Sequence, residues 1–135
     1  MRARTGWVVL VGCLACGGCK KAKTTDELIN DLKSGNAHDR LVAVRLLPQR
    51  KGDADKVIPA LIGALKSKAD DVRWSAAIGL GEFGEEAREA IPALQELEMD
   101  GDARVREGAR RALTEIDPKQ FPPPSKKGKG GGTGS

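Results

Sequence analysis

Aromatic side chains are nearly missing from this chain, at 3% of 135 residues. That is too few to fill a β-sandwich or barrel core, so both architectures are excluded. Histidine occurs once, as His38, and no cysteine follows Cys19. A tetrahedral zinc site wants four ligands, and a histidine–carboxylate iron site wants several imidazoles, so the body of the chain supplies neither. Beyond His38 there is no imidazole to activate a Ser or Cys nucleophile. A glycine-rich phosphate loop is also missing, because GLGEFGEE (residues 79–86) closes a helical pattern and continues into acids. Long apolar runs are absent too: Trp7 to Cys19 gives thirteen apolar or weakly polar residues, where a spanning helix needs roughly twenty.

Acids are missing from both ends. Residues 1–23 hold Arg2, Arg4, Lys20, Lys21 and Lys23, and residues 118–135 hold Lys119, Lys126, Lys127 and Lys129, with no carboxylate side chain in either stretch. The formal net charge of +4 therefore belongs to the ends. Between Thr24 and Asp117, fourteen basic groups face nineteen acidic ones. A folded domain that grips nucleic acid concentrates positive charge on its own surface, so specific nucleic-acid binding is not expected here.

What the sequence does have at its start is MRARTGWVVLVGCLACGGCKK: two arginines, a short apolar core and small residues. This is the layout of a secretory signal. The spacing C-x-x-C-x-x-C lacks the fourth cysteine and the proline of the bacterial ferredoxin run, and three cysteines cannot all pair. LVGC, Leu10 to Cys13, resembles the bacterial lipobox. The resemblance implies that the Cys13 thiol is acylated and becomes the first residue of the mature chain, with Cys16 and Cys19 as alternatives. A plain secretory signal whose cysteines have no role stays open beside it.

From Thr24 onward the sequence repeats with a period of thirty-three. IPAL occurs at Ile58–Leu61 and again at Ile91–Leu94, and Val72-Arg73 returns as Val105-Arg106. Leu61, Ile62, Leu65, Lys66 and Ser67 match Leu28, Ile29, Leu32, Lys33 and Ser34, and Arg40, Arg73 and Arg106 fall in register. A fixed offset without insertions is the signature of stacked repeats. Val72, Ala76, Leu80 and Phe83 lie on one face of a helix, as do Ile91, Leu94 and Leu97 on the next. Asp70 reads as an N-cap, and Gly84 and Gly101 as stops. The identical placement of Pro59 and Pro92 reads as one shared backbone feature. About six helices are expected, over 25–34, 37–48, 55–67, 70–82, 86–99 and 103–115.

The pattern D-x-V-R-x-x-A-A-x-x-L-G-x-x-G followed by A-I-P-A-L, best kept over residues 70–100, resembles the HEAT repeats of phycobilisome-lyase-like proteins. The first unit departs from it, with Asp39 in place of the valine and Pro48 and Lys51 in place of glycines, and the third lacks a second helix. The resemblance implies an all-α, short right-handed α-solenoid in which each helix pair buries its apolar stripe against its neighbours. It implies that Arg40, Arg73 and Arg106 form a structural ladder, each bonding an acid of the next repeat. It also implies a concave interaction face on the second helices, which carries Asn30, Gly63 and Glu96 beside Lys33, Lys66 and Met99. Trp74, aligned with Leu41 and Glu107, is either an exposed contact residue or a packed edge.

The family contains bilin lyases and the iron enzyme deoxyhypusine hydroxylase. With one histidine and no counterpart to it at residues 71 or 104, this chain is expected to be no enzyme and to carry neither metal nor cofactor. The closing DPKQFPPPSKKGKGGGTGS has little to bury and is expected to be disordered, with an extended polyproline stretch at Pro122–Pro124. The expected organisation is a signal and basic linker over 1–23, a repeat domain over 24–117 and a tail over 118–135. The expected role is a protein–protein interaction scaffold, secreted across the inner membrane and lipid-anchored on the periplasmic side of a bacterial envelope. The alternatives are an enzyme of the bilin-lyase or hydroxylase kind, or a module that binds anionic polymers through its basic tails.

Overall fold

Thr24 opens the first helix with a reciprocal cap: its side chain accepts from the Glu27 amide, and the Glu27 carboxylate accepts from the Thr24 amide. Two orphan donors are satisfied at once. The computed structural model describes residues 21–125. Among these there are six α-helices and no strand: α1 (Thr25–Leu32), α2 (Ala37–Leu46), α3 (Ala54–Ala64), α4 (Asp70–Gly81), α5 (Ile91–Leu97) and α6 (Ala103–Ile116). Short 3-10 turns join them at Leu47–Gln49, Lys51–Asp53 and Gly84–Ala90.

Local chemistry sets the helix ends. Asn36 caps α2 through the His38 amide at 3.0 Å, and Asp102 caps α6 through the amides of Arg104 and Val105. At α4 the expected cap is corrected. Ala69 holds the cap position and Asp70 is the first helical residue. Asp70 and Asp71 then act as charges at the positive end of the helix rather than as caps. Gly84 has φ +56, a left-handed conformation that glycine adopts without strain, and it turns the chain out of α4.

The shared proline feature is also corrected. α3 already begins at Ala54, so Pro59 sits inside it with no N–H to offer the Asp55 carbonyl. In the next unit Ala87, at φ −91 and ψ 21, interrupts the helical path, α5 begins only at Ile91, and Pro92 falls in the first turn, where proline is tolerated. The same tetrapeptide therefore occupies two different helix registers.

The helices form two rows. α2 packs on α4 and α4 on α6, α1 lies against α3, and the pairs α1–α2, α3–α4 and α5–α6 tie the rows together. The period explains the core. Leu28, Leu61 and Leu94, thirty-three apart, are each 0% exposed, and the Ala43–Ala76–Ala109 and Leu47–Leu80–Leu113 ladders are buried beside them. Each fully buried leucine contributes about 1.5–3 kcal/mol relative to exposure. Pro48, which replaces a glycine of the next unit, is buried, and its ring lies over Gly79. A side chain at Gly79 would put Cβ 2.6 Å from Pro48 Cγ, so any larger residue there would force the proline ring to shift. Trp74 is partly buried, with its indole edge over Gly108, which makes it a packed edge between α4 and α6.

Beyond α6 the Phe121 amide donates to the Asp117 carbonyl at 2.9 Å, and the Phe121 ring lies against the core. Pro122–Pro124 continue along α6 from there. Among the described residues no helix is long and apolar enough to cross a membrane. Cys13, Cys16 and Cys19 lie outside the described residues, as do Lys126, Lys127 and Lys129 of the tail.

Candidate functional site

The loops between repeat units have one position in common: Ser34, Ser67 and Asp100, thirty-three apart. Each uses a side-chain oxygen to accept from the amide two residues on, at Asn36, Ala69 and Asp102. The arginines of the following helices use that loop in the same way. Arg40 Nη1 donates to the Ser34 carbonyl at 2.6 Å, Arg73 Nη1 to the Ser67 carbonyl at 2.9 Å, and Arg106 Nη1 to the Asp100 carbonyl at 2.7 Å.

The rungs differ on the guanidinium's other edge. Arg73 Nε and Nη2 donate to the two carboxylate oxygens of Asp100 at 2.8 and 3.0 Å. Such a two-point, charge-assisted pair is among the stronger polar contacts in a protein. It raises the Arg73 pKa and, with Arg73 as the main cause, holds the Asp100 carboxyl below its ordinary value. One rung earlier the residue in the place of Asp100 is Ser67, which is too short and uncharged. The Nε and Nη2 of Arg40 therefore have no partner among the described residues. The sequence identified the three arginines but not Asp100, although the thirty-three-residue register places it twenty-seven residues beyond Arg73.

Arg40 also lines a groove of about 680 Å³ between α1 and α3. Ile29, Leu32, Pro59 and Ala60 form its apolar floor. Lys33, Arg40, Lys56, Lys66 and Lys68 line its walls, and no carboxylate does. Lys56 reaches Asp26 at 3.4 Å, whereas Lys33, Lys66 and Lys68 form no ion pair among the described residues. Outside the groove Arg104 is matched by Asp70 and Asp71, Arg110 by Glu98 and Arg111 by Glu115, while Arg45, Arg50, Lys51, Arg106 and Lys119 form no ion pair among the described residues. The domain is acidic in sum, yet this concavity gathers cations alone.

All six residues expected on the interaction face are exposed, Met99 at 89%. The structure divides them. Lys33, Gly63 and Lys66 line the groove, Asn30 belongs to a smaller depression beside Lys23 and Asp31, and Glu96 and Met99 lie outside both. Lys56 and Lys68 are groove residues that sequence reasoning missed. His38 is exposed at the start of α2, and no cluster of three potential metal ligands occurs among the described residues.

A family model described as HEAT repeats matches residues 25–114. A search of curated proteins returned no match. Among solved structures, a chain from the complex of CpcE and CpcF of phycocyanin lyase from Nostoc sp. PCC7120 is similar, with a TM-score of 0.65 and 27% identity. The likeness covers 76% of this chain and 41% of that one. It overturns the expectation that the chain is no enzyme, because a related solenoid works within a lyase. That expectation weighed the residues of one chain, whereas the similar chain is part of a complex of two proteins. By the repeats that span its folded part, this chain belongs to the HEAT-repeat family.

Proposed function

We propose that this protein is a docking module whose groove between α1 and α3 holds a second protein, in an assembly of two or more chains. The observation that carries the reading is the groove itself: an apolar floor bordered by cations, of which Lys33, Lys66 and Lys68 form no ion pair among the described residues. Apolar surface ringed by polar groups marks interaction sites. The relative's occurrence in a two-protein complex supports the same reading. Charge reversal tests it. Lys33→Glu with Lys66→Glu should abolish partner retention in co-purification, while Arg110→Glu, on α6 outside the groove, should preserve it. Retention by the groove variant and loss with Arg110→Glu would overturn the assignment.

The basic start, the short apolar core and LVGC support secretion and a lipid anchor at Cys13, which would hold the module on the periplasmic face of a bacterial envelope.

A second reading is favoured by the sequence identity that accompanies the structural likeness. In it the docked assembly is itself a lyase, and this chain supplies the surface on which the partner is held. Covalent transfer of a bilin to an acceptor protein, followed by visible absorbance with and without this chain, would support that reading. Equal transfer in both samples would remove it.

A further inference from the structure

We propose that the groove recognises an acidic peptide segment of the partner, and that one carboxylate of that segment docks on Arg40 as Asp100 docks on Arg73. This rests on the docking role proposed above and names the chemistry of the occupant. The molecule contains its own precedent. Arg73 and Arg40 occupy the same repeat position and spend Nη1 in the same way, on the carbonyl of the preceding loop. Arg73 then presents Nε and Nη2 to a carboxylate, while Arg40 lines a groove and has no acceptor for the same two donors among the described residues. A partner carboxylate on that edge would complete the rung that Ser67 leaves open. Lys33, Lys66 and Lys68 would meet further acids, and Ile29 and Pro59 would meet intervening apolar side chains.

Other anions fit less well. A bilayer presents a broad surface, whereas this site is a concavity between two helices. A nucleic-acid backbone would meet a domain with more acids than bases, held off by its sum although drawn to one groove. A short segment alternating acidic and apolar residues satisfies both the walls and the floor.

Ser67→Asp is the direct test, since it restores within the chain the carboxylate that the next repeat already has. The probe is a blocked, fluorescent peptide alternating Glu and Leu, with a Gln–Leu peptide and phosphatidylglycerol vesicles as comparison ligands. Binding is read by anisotropy on the purified full chain. The Glu–Leu peptide should bind, and the Gln–Leu peptide should bind at least about tenfold more weakly. Arg40→Gln and Ser67→Asp should each weaken Glu–Leu binding about tenfold or more. Ser67→Asp should do so while raising the melting temperature, which separates it from a folding defect. Arg45→Gln, exposed on α2 and outside this groove, should leave binding unchanged. Undiminished binding to Ser67→Asp, or a preference for vesicles over the Glu–Leu peptide, would overturn the proposal. If the double reversal at Lys33 and Lys66 releases the natural partner but Ser67→Asp does not, docking stands and the carboxylate anchor falls. If neither releases it, the docking face itself is wrong.

Discussion

Arg73 and Asp100, twenty-seven residues apart, meet through two parallel hydrogen bonds that tie α4 to the loop before α6. Asp100 also accepts from the Asp102 amide at 2.9 Å, so one carboxylate both shapes its own loop and clamps the preceding repeat. The side chains are only 18% and 9% exposed, so water screens the pair little. Asp100→Ala is expected to cost about 1.5–3 kcal/mol, the range for hydrogen bonds to charged groups. Chemical denaturation of the variant and the parent measures the difference.

The same pair gives a pH dependence with a definite sign. Asp100 has a depressed pKa in the fold, so the unfolded chain binds the proton first, near the ordinary 3.8. The contribution is complete above that value and is lost as pH falls through the lower folded value. Denaturation midpoints followed from about pH 5 down to about pH 2 should fall more steeply for the parent than for Asp100→Asn. Parallel curves would mean that the clamp does not titrate with folding.

Leu80 is 0% exposed between the helices that stack around α4. Leu80→Ala should destabilise by about 2–5 kcal/mol. Lys66→Ala, at an exposed position, should stay within roughly 0.5 kcal/mol of the parent. Similar effects at the two sites would show that the repeat register is wrong.

Gly79 leaves no room for a Cβ beneath Pro48. Gly79→Ala should destabilise by about 1–3 kcal/mol through overpacking. Pro48→Gly restores the residue found one repeat later, and in that background the added methyl should cost less. A penalty that persists in full would place its origin elsewhere.

Labelled fatty acid should enter the parent chain in a bacterial host and be lost in Cys13→Ser. Loss instead in Cys16→Ser or Cys19→Ser would move the anchor to that residue. Labelling and membrane fractionation that survive the triple replacement would refute the anchor.

The architecture was legible because its cause is periodic. Leu28, Leu61 and Leu94 repeat in sequence and are buried together in space. Helix ends were less legible, since they depend on a few φ/ψ values. Nothing in IPAL announces that Pro59 lies inside a helix and Pro92 at the start of one. The arginine positions could be read, but their partners could not be read from the arginines alone, because the difference lies in whether Ser or Asp stands twenty-seven residues on. Lys56 and Lys68 escaped because a groove brings together residues from α1, α3 and the following loop that share no sequence pattern. Phe121 escaped because a composition argument averages over a tail in which a single ring finds a place on the core.

Site-specific photo-crosslinking tests the central claim, that the groove between α1 and α3 is the docking face. A photoreactive residue is placed at Lys66 in one variant of the full chain and at Arg110 in another, and both are irradiated in the cells that make the protein. The account predicts one discrete protein adduct from the Lys66 position, suppressed by Ser67→Asp, and none from Arg110. An adduct formed from Arg110 and absent from Lys66 would contradict it.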